Sequence, residues 1–125
     1  RHVHFGVLAL AEHYAQLSPR ELKDREDWAF EMALLLRNRF LAHEFYDEYY
    51  GHAMTRREWN AKMLGCKIMR SFRKTMFRRI VPNLKRIHLL SPRIRPHYEA
   101  IGLLEWEHDK AAPDLSVEEI LAEPL

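Results

Sequence analysis

The sequence predicts an all-α protein with three main helices followed by short C-terminal helices. Apolar residues recur at intervals of three and four over residues 3–17, 19–50 and 56–81, which is the spacing that lines one side of a helix. Only 4 of the 125 residues are glycine and 30% are charged, a composition that favours helices over a β-sandwich or barrel. No credible pair of strands is visible.

Capping signals mark where the helices begin. Ser18 stands before Pro19 and Glu21, and Thr55 stands three residues before Glu58. In such a capping box the hydroxyl accepts a hydrogen bond from the third backbone amide, and the glutamate reaches back to the cap. We therefore expect the first helix to end before Ser18, the second to run over 19–50, and the third to run over 56–81.

Short elements are predicted beyond the third helix. Pro82 should end or kink that helix, because proline lacks the amide donor and clashes with the preceding turn. Pro96 is expected to interrupt the element that begins at Ser91, and Gly102 to stop it. We divide the chain into a helical part, residues 1–104, and an acidic, loosely held tail, residues 105–125, with a short helix after Ser116.

Charge is strongly segregated along the chain. Residues 55–96 carry thirteen Lys/Arg against one Asp/Glu, whereas residues 97–125 carry one against eight. A basic middle segment can be neutralised by acidic parts of the same protein or by an external polyanion. Pairing within the protein is favoured over nucleic-acid binding, because the formal net charge is only +2 and no helix-turn-helix pattern is evident.

The sequence indicates a cytoplasmic protein. Cys66 is the single cysteine, which excludes an internal disulfide and fits a reducing compartment. We expect Cys66 to be a buried structural thiol in the third helix. No run approaches the roughly 18 apolar residues of a membrane span, and no signal peptide is visible. Because Arg1 stands inside a helical pattern with no cap before it, we expect a fragment cut within a helix.

Several runs carry a resemblance to a known family. They are Arg1-His2-Val3-x-Phe5-Gly6, Ile80-Val81-Pro82-Asn83-Leu84-Lys85-Arg86, Leu89-Leu90-Ser91-Pro92-Arg93 and Tyr98-Glu99-Ala100-Ile101-Gly102-Leu103-Leu104. These runs resemble the C-terminal region of bacterial ferritin-like di-iron proteins, relatives of the ribonucleotide reductase small subunit and of di-iron N-oxygenases. The similarity extends to about Trp106. The first run matches the end of the family's Asp-Glu-Ala-Arg-His-Val-x-Phe-Gly motif.

This resemblance implies a C-terminal portion of a ferritin-like helical bundle in which His2 is an iron ligand. In that family a glutamate and a histidine three residues later face the same metal. Here the glutamate would lie before residue 1, as would the other ligand helices. The implied intact protein is an oxidoreductase that uses a di-iron centre and dioxygen on an unidentified organic substrate. Its missing N-terminal helices are the expected partners, and the fragment alone is expected to be inactive.

Alternatives remain open on the residues alone. A single histidine at a helix start, such as His2, is usually a surface or capping residue. His4 is expected to be exposed, and His13 lies about 16 Å from His2 at helical rise. Gly6 and Ala9 lie on the same face of the helix as His2, and both are small. They could leave space for a metal, or they could allow another helix to pack closely. The chain could also be a helical binding module that uses basic residues 56–86 to bind nucleic acid or an acidic partner. It could have the fold of the family without its chemistry. A homodimer is also possible.

Two other carboxylate and histidine groups are not expected to bind metal. Glu105 and His108 are three residues apart in the acidic tail, after the helix-stopping Gly102. His43 and Asp47, with Glu44 and Glu48 beside them, share helical spacings on the second helix. Such pairs are more often solvated faces or salt-bridge partners, and no neighbour completes a coordination set.

Overall fold

The computed structural model describes residues 2–122, and side chains from residue 3 onward. Over that range the protein is all-helical with no strand, so the predicted fold class is confirmed. The helices are α1 (His2–Tyr14), α2 (Pro19–Arg39), α3 (His43–Tyr49), α4 (Arg56–Gly65), α5 (Lys67–Arg86), α6 (Arg95–Ala100) and α7 (Val117–Ala122). Two 3-10 turns, Leu104–Trp106 and Ala112–Asp114, lie between α6 and α7.

The predicted capping boxes at Ser18 and Ser116 are confirmed, and at Thr55 the hydroxyl half of the box is present. The Ser18 hydroxyl accepts from the Glu21 amide at 3.2 Å, and the Glu21 carboxylate accepts from the Ser18 amide at 3.3 Å. Thr55 accepts from the Glu58 amide at 3.1 Å. Before α7, the Ser116 hydroxyl accepts from the Glu119 amide at 3.1 Å in the same way. Local side chains therefore determine where α2, α4 and α7 begin.

The predicted single helix over 19–50 is wrong, because the chain breaks at Phe40–Ala42 into α2 and α3. Ala42 adopts a left-handed conformation with φ 50° and ψ 48°. The break buries Leu41, whose carbonyl accepts a hydrogen bond from the Trp59 indole at 2.6 Å. Burial of these two side chains offsets the strain of a left-handed alanine, an effect of tertiary packing that the local sequence does not signal.

The predicted third helix over 56–81 is also divided. Cys66 is extended, with ψ 127°, and separates α4 from α5. Pro82 does not end the helix, because α5 continues to Arg86 around its buried ring. The helix ends at Arg86, and His88, two residues beyond, is left-handed with φ 68°. There the Leu89 amide donates to the Leu84 carbonyl at 2.9 Å, a Schellman-type ending.

The prediction for Pro96 is wrong, whereas the prediction for Gly102 is confirmed. Pro96 lies in the first turn of α6 rather than interrupting an element, a position where the missing amide donor loses no helical hydrogen bond. Gly102 ends α6 with φ 75°. The following Leu103 amide donates to the Tyr98 carbonyl at 3.0 Å.

Helix α5 forms the centre of the core. Its buried residues Phe77 and Val81 pack in one cluster with Ala33 of α2, Tyr98 of α6, and Trp106. A second cluster joins α1 and α2 to the end of α5, through Val7, Ala11, Ala29, Ile87 and Leu89. No helix in the described part of the chain is long and apolar enough to cross a membrane.

The acidic tail is packed rather than loosely held, contrary to the expectation from its composition. Trp106 and Ala111 are buried, and the Trp106 ring is stacked with Phe77 at 6.3 Å. The Ala112 amide donates to the Asn83 side chain on α5 at 2.8 Å. A few apolar side chains therefore hold the tail against α5, although its negative charge suggests a segment surrounded by solvent.

Candidate functional sites

The predicted iron ligand His2 is the first residue of α1, but its side chain lies outside the part of the chain that the structure describes. Its role as a ligand therefore stays a prediction. The face of α1 that His2 shares with Gly6 and Ala9 is open: a Cβ added at Gly6 would meet no atom within 4 Å, and Ala9 is exposed. Among the described residues, no other element packs closely on this face at Gly6.

The other histidines of α1 differ from each other in environment. His4 was predicted to be exposed, but it is half-buried and lines a cleft with Val117, Ile120 and Leu121 of α7. The 3-10 turn Ala112–Asp114 packs against α1. His13 is exposed, and its ring lies 5.6 Å from that of Tyr14.

The remaining histidine and carboxylate groups find separate partners. His43 contacts the Asn60 side chain at 2.6 Å, and Asp47 pairs with Arg56 at 2.8 Å. In the tail, Glu105 lies 3.7 Å from Arg70, whereas His108 is exposed. Within residues 3–122, no group of three or more His, Cys, Asp or Glu side chains is arranged to hold a metal.

The basic segment is partly neutralised within the protein, as the sequence favours. Arg70 and Arg86 on α5 face Glu105 and Asp114 of the tail, each at 3.7 Å. These pairs are well exposed, so each contributes at most about 1 kcal/mol to stability. The acidic tail thus lies along α5 and reduces its field without removing it.

Three arginines meet in a cleft of about 270 Å³ between α5, α2 and the end of α6. Arg70 and Arg73 come from α5 and Arg37 from α2. The apolar wall contains Leu64, Ile101 and Trp106. Among the described residues that line the cleft, Glu105 is the only acidic one. The cleft therefore carries an excess of positive charge.

Arg73 is the deepest of these arginines, with 9% of its surface exposed. One end of its guanidinium donates to the Leu64 carbonyl at 3.0 Å. The other, Nη1, is buried and makes no hydrogen bond within the described residues. Burial lowers the pKa of Arg73, and the positive charge of Arg70 lowers it further. A cation held in this way is not fully compensated by its surroundings.

Arg37, on the α2 side of the cleft, also has a buried donor without a hydrogen bond. Its Nη1 donates to the Asn38 side chain at 3.1 Å, while its Nε is buried without a hydrogen bond in the described structure. Burial lowers the pKa of Arg37, and repulsion from Arg73 adds to that effect. Two guanidinium groups are therefore held close enough to repel each other, each with an unused donor.

Cys66 lies outside a continuous helix, at the junction of α4 and α5, and is half-buried rather than fully buried. The prediction of a buried structural thiol was wrong in this respect, because the helix in which it was placed is broken there. The backbone amides of Met69 and Ile68, at the start of α5, lower the pKa of the Cys66 thiol.

Sequence reasoning missed the arginine cleft. The spacing of Arg70 and Arg73 places both on neighbouring parts of one helix surface, and this was the available signal. Arg37 and Trp106 are far from them in the chain, so only the tertiary fold brings the group together.

These features define an all-α protein with an exposed apolar face on its first helix and an arginine-lined cleft between α5, α2 and the end of α6. Comparison with protein-family models, with curated proteins and with solved structures finds no match for the chain.

Proposed function

We propose that the chain is the C-terminal helical part of a ferritin-like di-iron protein and that His2 is one of its iron ligands. The observation that supports this proposal is the composition of α1, which is apolar on more than one side. Val7 and Ala11 are buried, while Val3 is 59% and Phe5 is 74% exposed. A helix that is apolar around most of its circumference belongs inside a bundle, with neighbours on several sides.

Helix α2 supports the same interpretation. Trp28, Met32 and Leu35 lie on one stripe, at intervals of four and three, and are exposed. Buried Ala29 and Ala33 occupy another side of the helix. Additional helices of the same bundle would cover both exposed surfaces. Those helices would also supply the carboxylates that complete an iron site, because the described residues contain no such set.

When bound, the iron pair would supply the activation of dioxygen for oxidation of an organic substrate. The contribution of this chain would be one neutral imidazole, a nitrogen ligand suited to iron, held on a rigid helix. The small residues Gly6 and Ala9 on the same face would leave space beside that imidazole.

The test is iron stoichiometry in a protein extended by the helices that the proposal places before Arg1. We expect two irons per chain, a glutamate three residues before His2, and loss of iron in His2→Ala. His13→Ala is the matched control, since His13 lies on α1 but is exposed, and it should keep its iron. Residues 1–125 alone should bind iron poorly. Tight binding of two irons by these 125 residues, or an extended protein without iron, would contradict the proposal.

A second candidate is a helical module that binds a polyanion, favoured by the exposed residues of α5. Lys67, Arg70 and Lys74 are exposed, with Phe72 between them. Binding to random duplex DNA should then weaken steeply with salt, and replacing Lys67 and Lys74 with glutamine should reduce the salt slope by roughly one for each lost phosphate contact. A flat salt dependence would exclude this candidate.

A further inference from the structure

We propose that the cleft formed by Arg37, Arg70 and Arg73 binds the phosphate group of a small phosphate monoester. This inference is independent of the proposed iron site, because it depends on a cleft at α5, α2 and the end of α6 rather than on α1. Its basis is a set of charges and donors that the described protein leaves uncompensated.

The charge of the cleft matches that of the ligand. Three guanidinium groups line the cleft with one carboxylate, that of Glu105. Arg70 lies 3.7 Å from Glu105, and both side chains are largely exposed, so water weakens this pair. The remaining excess corresponds to about two positive charges, and a phosphate monoester carries about −1.5 to −2 at pH 7.

The unused donors identify where the oxygens would bind. Arg73 Nη1 and Arg37 Nε are buried without hydrogen bonds in the described structure. A buried donor without an acceptor is unfavourable, and native proteins leave few of them. Both atoms lie below the accessible surface, so the two side chains must turn toward the cleft for an oxyanion to accept from them. The charge of the oxyanion would offset the burial and the repulsion from Arg73 that lower the pKa of Arg37.

Phosphate fits this geometry better than a carboxylate or a nucleic-acid backbone. Arginines from two helices line one cleft. A tetrahedral group with three free oxygens can accept from more of them than a carboxylate, which has two oxygens and one charge. Arg73 is too deeply buried to reach the surface of a duplex. The volume and the Leu64 and Ile101 wall admit a small organic body.

The test is calorimetric titration of the full chain with inorganic phosphate and with phenyl phosphate, at constant ionic strength maintained with chloride. We expect saturable binding of both at one site. Arg73→Met should weaken phosphate binding at least about tenfold, as expected for loss of a charge-assisted hydrogen bond. Arg57→Met is the matched control, because Arg57 is an exposed arginine of α4 outside the cleft, and it should bind as the wild type does.

Arg37→Lys provides a second variant should Arg73→Met fail to fold. Lysine keeps the positive charge but lacks the Nε donor of arginine, so phosphate binding should weaken although the net charge is unchanged. Benzoate separates a phosphate site from a carboxylate site. Absence of binding by the wild-type chain, equal binding of benzoate and phenyl phosphate, or equal losses in Arg57→Met and Arg73→Met would each overturn the proposal.

Discussion

Glu26 of α2 is only 3% exposed, and it shows how one side chain connects distant segments. Arg93 donates to the Glu26 carboxylate from Nε at 3.3 Å and from Nη2 at 3.0 Å. The same guanidinium also contacts Asp27 at 2.7 Å, and these hydrogen bonds raise the pKa of Arg93. The chain before α6 is thus attached to α2 through two neighbouring carboxylates, one buried and one partly exposed.

These two carboxylates should differ in their contribution to stability. We expect Glu26→Ala to lower the free energy of unfolding by about 2 kcal/mol, because it removes charge-assisted hydrogen bonds from a buried position. Asp27→Ala should lower it by less than about 1 kcal/mol, since that contact is open to water. Urea denaturation of both variants measures the difference. Equal effects would show that burial does not determine the strength of this contact.

Tyr98 gives a prediction that depends on pH. Its side chain is fully buried, with the Phe30 ring in a T-shaped contact at 5.1 Å. Burial, followed by the charge of Glu26, raises the pKa of Tyr98 to about 12. An unfolded tyrosine ionises near pH 10, so above that pH the unfolded state loses a proton that the folded state keeps. Stability should therefore fall by up to about 1.4 kcal/mol per pH unit between about pH 10 and 12.

The Tyr98→Phe variant isolates this effect. Phenylalanine cannot ionise, so the variant should lose stability less steeply with pH than the wild type does. Near neutral pH it should be as stable as the wild type or slightly more so, because the buried hydroxyl has no hydrogen-bond partner among the described residues. Denaturation at pH values from about 7 to 11 measures both. Tyr49→Phe, at an exposed position, should follow the wild-type curve, and identical slopes for all three proteins would refute the prediction.

At the scale of the elements, the sequence predicted where helices begin better than where they end. Ser18, Thr55 and Ser116 form local hydrogen bonds that depend on a few neighbouring residues, so their patterns are readable in one segment. The break at Ala42 contains no proline or glycine, whereas the break at Cys66 directly follows Gly65, which was not taken as a stop signal. Both breaks also depend on which side chains the fold buries. Pro82 does not end α5, since the helix continues to Arg86 with the proline buried within it.

The left-handed Ala42 provides a test at this scale. Glycine adopts this conformation without the clash that a Cβ causes, so Ala42→Gly should stabilise the protein by several tenths to about 1 kcal/mol. Ala61→Gly is the control: Ala61 is exposed within α4, and the change should destabilise by about 1 kcal/mol. Thermal unfolding of the two variants should move in opposite directions. A loss of stability in both would indicate that residue 42 is not left-handed.

At the scale of the whole molecule, composition and periodicity predicted the all-α class but not the arrangement of sites. The arginine cleft joins residues 37, 70–73 and 101–106, and no local pattern links them. The packed tail was missed for a similar reason, because its negative charge concealed the few apolar residues that enter the core. For His2, the structure leaves the prediction from the sequence as it was.

The exposed apolar surfaces predict self-association. Val3 and Phe5 on α1, with Trp28 and Leu35 on α2, are apolar side chains that are each more than half exposed, and exposed apolar surface often marks an interaction site. We expect residues 1–125 to form dimers or larger species as concentration rises, and Trp28→Glu with Leu35→Glu to shift them toward monomer. Sedimentation velocity measures the change. Lys23→Glu with Arg25→Glu, at exposed polar positions of α2, is the control, and a monomeric wild type at all concentrations would contradict the prediction.

The stacking of Trp106 on Phe77 also has a consequence for biosynthesis. The central helix of the core cannot complete its packing until Trp106 and Ala111 have been translated and have emerged from the ribosomal exit tunnel. Until then, Phe77 and Val81 would remain open to solvent on a nascent chain. Chaperones that recognise apolar segments would therefore be able to bind α5 until Trp106 and Ala111 have emerged.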